Sequence, residues 1–146
     1  MFYREEKLMK YLFLLALVAC SGMTDGRYRK DFHQGDYSST QTPQAVYSLL
    51  KEKMTKCYPQ SDYPKHEKTL GDFDSAKNAG YIRYEVDHQS MGPRTLVLVD
   101  ILPGTSGSIV KVYAKGNLTQ TGTGFKQDIH KWLEGKKVDC DARGKI

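Results

Sequence analysis

The sequence contains few of the residues on which most catalytic and metal-binding sites depend. It has 146 residues, with three cysteines, four histidines and one tryptophan. No histidine is spaced from another histidine, a cysteine or a carboxylate as in a zinc-binding motif; the four are His33, His66, His88 and His130. No serine lies in a nucleophile elbow, and no glycine-rich segment carries the lysine of a phosphate-binding loop. The sequence therefore predicts no catalytic residues, no metal site and no cofactor.

The sequence also lacks a long apolar run and a dense cluster of basic residues. The apolar run Tyr11–Ala19 is shorter than the roughly 20 residues that a transmembrane helix requires. Lysine and arginine number 22 against 17 acidic residues, a formal charge of +5, and the basic residues are spread along the chain. This distribution argues against a nucleic-acid partner and fits ordinary solubilising charge or weak attraction to anionic surfaces.

What the sequence does have is an N-terminus organised like an export signal. Lys10 precedes the short run Tyr11–Ala19, and Cys20 follows it at once. A short apolar segment behind a basic residue is typical of a signal peptide, which is not part of the folded protein. The acidic residues at positions 5 and 6 are unusual in such a signal, so Met9 is an alternative start of translation.

The segment Leu17-Val18-Ala19-Cys20 resembles the lipobox of bacterial lipoproteins. In that family the signal is cut before the cysteine, whose thiol receives a diacylglyceryl group and whose new amine is usually acylated, for example with palmitate. The resemblance implies that Cys20 is a lipidated N-terminus held to a bilayer by its acyl chains. In enterobacterial members an aspartate after the cysteine retains the protein at the inner membrane. Ser21 at that position implies the outer membrane, facing the periplasm.

If Cys20 is lipidated, Cys57 and Cys140 are left over. Export would place them in an oxidising compartment, where disulfides persist. We expect them to form a disulfide that acts as a structural staple, stabilising the fold by roughly 4–5 kcal/mol in the chain-entropy model. Two free thiols, one of them reactive, are the alternative.

The resemblance implies a lipoprotein signal peptide at 1–19 and a lipidated cysteine at position 20. Together with the composition, it predicts that this cysteine and a flexible tether occupy 20–41 and that a single domain occupies 42–146. The tether contains no apolar periodicity and is rich in Gly, Ser, Thr and Asp, which is typical of a linker. Its aromatic residues Tyr28, Phe32 and Tyr37 are unusual in a spacer, and docking of these residues on the domain or on a partner is an alternative.

Apolar periodicity predicts a helix at each end of the domain. Thr42 and Pro43 suit the start of a helix, and a stripe at helical spacing runs from Val46 to Cys57. A second stripe runs from Phe125 to Leu133, with Gly135 placed to end the helix. Between the helices we predict strands at 67–74, 81–87, 95–102 and 108–115, the last two forming a hairpin. The segment 81–87 alternates apolar and polar residues. The segment 95–102 is nearly continuously apolar, which indicates a strand covered on both faces or one whose outer face contacts an apolar partner.

These elements predict an α+β fold: an antiparallel sheet of three to four strands, in the order α-β-β-β-β-α, covered by the two helices on its apolar face. The aromatic residues Tyr81, Tyr84, Tyr113 and Trp132 belong to this core or line a ligand groove. Two functions fit an anchored domain without a catalytic constellation. One is a binding or structural accessory module for an envelope protein or the cell-wall polymer. The other is a binder of a small apolar ligand in a cavity between sheet and helices.

Overall fold

A computed structural model of the chain describes residues 25–58, 60, 65–88, 92–115, 122–138 and 140. The chain divides into two units, residues 1–31 and residues 32–146. In the first unit the structure describes one short helix, α1 (Asp25–Asp31). Its acidic residue Asp25 lies in the first turn and its basic residues Arg29 and Lys30 lie in the last, which complements the helix dipole.

The second unit is built on a five-stranded sheet in the order β1-β5-β4-β3-β2. Every neighbouring pair is antiparallel. The strands are β1 (His33–Ser39), β2 (Lys65–Asp74), β3 (Ala79–His88), β4 (Gly92–Gly104) and β5 (Gly107–Ala114). Consecutive strands from β2 to β5 are neighbours in the sheet, whereas β1 and β2 lie at opposite edges.

The structure confirms the predicted α+β fold and the antiparallel sheet. The predicted number of strands, three to four, was wrong, because the sheet has five. The fifth strand, β1, lies within the range predicted to be a flexible tether, and it places a strand before the first domain helix. Apart from Tyr37, β1 consists of polar residues and glycine, so it has no apolar alternation to reveal it. Its pairing with β5 is made by the backbone and aligns Asp36 with Lys111 and Tyr37 with Val110.

Helix α2 (Pro43–Cys57) begins and ends as the sequence predicts. The Thr42 hydroxyl accepts a hydrogen bond from the Ala45 N–H at 3.3 Å, and Pro43 occupies the first turn. This arrangement satisfies an amide group that would otherwise lack a partner inside the helix. The helix ends at Tyr58, whose N–H donates to the Met54 carbonyl. The predicted apolar stripe is buried, at Val46, Leu50, Met54 and Cys57.

Helix α3 (Gly122–Leu133) also carries its predicted stripe on a buried face. Phe125, Ile129 and Trp132 are buried. Gly135 follows with a φ of +71°, and its N–H donates to the Trp132 carbonyl at 3.0 Å. A left-handed glycine just after the last turn is a common helix C-terminus. The chain then leaves the helix towards Cys140.

The core lies between one face of the sheet and the stripes of α2 and α3. The buried strand residues in this cluster are Ile82, Tyr84, Val86, Val97, Val99, Ile101, Val110, Val112 and Ala114. In β4 the intervening Leu98 is also fully buried, as the nearly continuous apolar run of this strand predicted. Burial of apolar surface on this scale is the main driving force of folding.

The outer edge of β2 is occupied by polar side chains. Gln60 accepts a hydrogen bond from the Thr69 N–H at 3.0 Å and donates to its hydroxyl at 2.9 Å. The Lys51 ammonium donates to the Thr69 carbonyl at 2.9 Å, and burial lowers the pKa of Lys51. Side chains that occupy the hydrogen-bonding groups of an edge strand oppose its pairing with another chain.

The β4–β5 turn generates a prediction at Gly107, which has a φ of +148°. A Cβ there would overlap the backbone oxygen of Ser39 and lie 2.9 Å from Thr40 Cα. We expect Gly107→Ala to lower the free energy of unfolding by about 1–3 kcal/mol or more, because an L residue is strained in this conformation. Chemical denaturation measures the loss.

Gly35→Ala is the matched control, because its Cβ would meet the Lys126 side chain at 3.5 Å and the Tyr37 hydroxyl at 3.7 Å, both ordinary contacts. We expect this variant to unfold close to the wild type. Equal stabilities for the two glycine variants would contradict the assigned backbone geometry at Gly107.

Candidate functional site

A disulfide joins the end of α2 to the segment after α3. Cys57 is the last residue of α2, and Cys140 lies seven residues beyond the end of α3. The two Cα atoms are 4.6 Å apart, across 83 residues of sequence. The predicted pairing of Cys57 with Cys140 is therefore confirmed.

Beside this disulfide lies a pocket of about 390 Å³. One wall is the last turns of α2, and the other is the end of α3 with the segment that follows it. Its volume falls in the range of small-molecule sites. The lining residues are Leu49, Lys53, Lys56, Cys57, Trp132, Gly135, Lys136, Lys137, Val138 and Cys140.

The lining of the pocket combines apolar and polar surface in similar amounts. The apolar part comes from Leu49, Trp132 and Val138 together with the disulfide. Trp132 is the only tryptophan of the chain and belongs to the core, where its ring centroid lies 5.9 Å from that of Tyr58. The position of Trp132 is thus fixed by core packing, and part of its surface faces the pocket.

Four lysines surround this apolar surface, and we call the whole the lysine-rimmed pocket. Lys53 and Lys56 come from α2, and Lys136 and Lys137 from the segment after α3. They lie close in sequence to the two half-cystines, so the disulfide brings the pairs together. The pocket therefore combines this apolar surface with a cationic rim.

Two of the four lysines are held by carboxylates. The Lys56 ammonium lies 2.7 Å from Glu52, and that of Lys136 lies 2.9 Å from Glu134. These hydrogen bonds lower the pKa of both carboxyl groups, so the glutamates stay ionised at neutral pH.

For Lys53 and Lys137, no carboxylate among the described residues lies within 4.0 Å. Their ammonium groups are the ones best placed to bind an anion. With two of four lysine charges balanced by Glu52 and Glu134, the rim keeps a net positive charge.

The structure does not gather the histidines into one site. His33 lies 2.7 Å from Asp36 on β1, whereas His130 stacks on Tyr37 at 4.9 Å and lies 3.7 Å from Glu134. His66 is in β2 and not in a loop as expected. No group of three metal-binding side chains is found in the described part of the chain.

The predicted aromatic set is mostly core. Tyr84 and Trp132 are almost fully buried, and Tyr84 packs near Tyr58 at a ring distance of 5.3 Å. Burial raises the pKa of Tyr84, as do the neighbouring charge of Glu67 and the hydrogen bond that the Tyr84 hydroxyl donates to that carboxylate. Within this set, Trp132 also lines the lysine-rimmed pocket.

The predicted lipidation site lies outside the described residues, as do the recognition positions Leu17, Val18 and Ala19. In the described part of the chain, no helix is long and apolar enough to span a membrane. Comparison with protein-family models, with curated proteins and with solved structures found no significant match to this chain.

Sequence reasoning missed the lysine-rimmed pocket because its lysines fit other roles. Lys53 and Lys56 lie off the apolar stripe of α2, and Lys136 and Lys137 follow α3, where positive charge complements the helix dipole. The signal that could have found the pocket is their spacing from the cysteines. Each of these lysines precedes Cys57 or Cys140 by at most four positions. The disulfide therefore brings the two pairs of lysines close together.

The disulfide generates a prediction about stability. We expect Cys57→Ser to lower the free energy of unfolding by about 2–5 kcal/mol, because the unfolded chain loses the constraint of a long closed loop. Thermal unfolding without reductant measures the effect.

Cys140→Ser should cost a similar amount, and adding reductant should destabilise the wild type but neither variant. An unchanged melting temperature in both variants would show that the bridge does not stabilise the domain.

Proposed function

We propose that this protein is a lipid-anchored protein of the bacterial cell envelope. The observation that carries the proposal is the sequence Leu17-Val18-Ala19-Cys20 directly after a short apolar run. Acyl chains on Cys20 would hold the chain to the bilayer at about 0.8 kcal/mol per buried methylene, so two or three chains give lasting attachment. Ser21 after the cysteine supports the outer membrane, with the domain facing the periplasm.

The domain is a binding or structural accessory module for a protein partner or the cell-wall polymer. The lysine-rimmed pocket supports this role, because the ammonium groups of Lys53 and Lys137, which have no carboxylate within 4.0 Å among the described residues, suit carboxylates of an acidic protein segment or of wall peptides. Charges at such a rim mainly set the rate and selectivity of association.

The anchor is tested by Cys20→Ala in the native host. We expect the variant to remain uncleaved or to become soluble, since no thiol is left to receive lipid. Membrane fractionation and mass analysis of the N-terminus measure the result, with Cys57→Ser as the control that retains residue 20. Normal processing and membrane retention of the Cys20 variant would contradict the anchor.

The partner is tested by placing a photo-crosslinking residue at position 53 or 137 in whole cells. We expect adducts of defined mass from both positions, because both side chains lie at the pocket rim. Position 77 is the control, since Lys77 lies in the β2–β3 turn and pairs with Asp74 at 3.1 Å. Absence of adducts at both pocket positions, or equal adducts at position 77, would contradict a partner at this site.

A second candidate function is the binding of a small ligand. A cavity between sheet and helices is not the best place for it, because fully buried side chains such as Leu50, Ile101 and Ile129 pack there. The lysine-rimmed pocket favours this candidate, since it combines apolar surface with charges that would orient the ligand.

A further inference from the structure

We infer that the lysine-rimmed pocket binds a small anionic amphiphile, a phosphate monoester with one short apolar chain. This inference rests on the second candidate function, small-ligand binding in this pocket, and names the chemistry of the ligand. It holds whether or not Cys20 carries lipid.

The apolar half of the ligand follows from the pocket interior. Leu49, Val138 and the disulfide offer no strong hydrogen-bonding group, and the polar atom of Trp132 is limited to its indole N–H. A purely ionic ligand would leave this surface exposed to water. An apolar chain that covers it gains roughly 25 cal/mol for each Å² removed from water.

The anionic half follows from the rim. Among the described residues, two of the four lysines have a glutamate partner and two have no carboxylate within 4.0 Å, so the described rim carries a net positive charge. Lysine ammonium groups bind phosphate as point charges, and the terminal oxygens of a monoester suit a pocket lined by Lys53 and Lys137.

The size of the ligand follows from the volume. At the roughly 30 Å³ that one water occupies in the liquid, a cavity of about 390 Å³ holds about a dozen non-hydrogen atoms. That is the size of a phosphate with an eight-carbon chain. It is also the size of a lipid phosphate with the first part of one acyl chain.

Fluorescence of Trp132 provides a direct test, because it is the only tryptophan and lines the pocket. The full chain carrying Cys20→Ala is titrated with octyl phosphate below its micelle concentration, and calorimetry repeats the titration without relying on tryptophan. We expect a saturable signal in both. Octyl glucoside has the same chain without the charge. We expect octyl glucoside and inorganic phosphate each to bind with an affinity at least about tenfold lower than that of octyl phosphate.

Substitution of Lys53 and Lys137 locates the site. We expect Lys53→Gln with Lys137→Gln to weaken octyl phosphate binding about tenfold, the loss of two partly exposed charge interactions. Lys68→Gln with Lys77→Gln removes the same charge from the β2 region and should change the affinity less than about twofold. Both pairs are expected to fold, because all four side chains are solvent-accessible.

Vesicles that contain phosphatidic acid, whose phosphate is a monoester, distinguish a lipid in a bilayer from a free phosphate ester. Displacement of octyl phosphate by the vesicles assigns the site to a membrane lipid, and no displacement assigns it to a free ester; both support an anionic amphiphile. Equal binding of octyl glucoside or of inorganic phosphate, an equal effect of the two lysine pairs, or no saturable binding would overturn the inference. Those outcomes leave the membrane fractionation and crosslinking results unaffected, so the two proposals fail separately.

Discussion

The link between Cys57 and Cys140 joins the fold of this protein to its candidate site. Helix α2 is held by its buried stripe, but the segment after α3 has fewer constraints. That segment is fixed by the hydrogen bond from the Lys136 N–H to the Lys131 carbonyl at 2.8 Å, by partial burial of Val138 and by the disulfide. Because this segment forms one wall of the lysine-rimmed pocket, the shape of the pocket depends on the disulfide more than the core does.

The core could be predicted wherever burial leaves a period in the sequence. Helices α2 and α3 were predictable because their apolar stripes recur at helical spacing, and β3 because Ile82, Tyr84 and Val86 alternate with charged residues. Strand β1 could not be predicted, since its place at the edge of the sheet depends on backbone pairing with β5 and on one aromatic side chain, Tyr37. Edge strands with polar residues leave little trace in a single sequence.

The candidate site was predictable only in part, for a related reason. Pairing of Cys57 with Cys140 followed from their number and the expected compartment. The pocket depends on the relative placement of two segments far apart in the chain, and no periodicity records such a placement. Its four lysines resemble solvent-exposed charges until the disulfide brings them to one rim. Charged residues close in sequence to two cysteines can therefore come together in space when those cysteines pair.

The β2 edge of the sheet offers a partner strand few free backbone groups. Along β2, Gln60 and Lys51 take up the backbone groups of Thr69, and the Phe73 N–H donates to the Asp72 carboxylate at 2.9 Å, so addition of a strand there would first have to break these bonds. This favours recognition at the lysine-rimmed pocket over strand addition at β2.

A pocket that holds about a dozen atoms and whose charges face water binds weakly, since small ligands contribute at most about 1.5 kcal/mol per atom and usually far less. Attachment to a bilayer would offset this weakness, because a tethered domain meets ligands of that surface at a high effective concentration. The lysine-rimmed pocket and the proposed lipid anchor would thus complement each other physically.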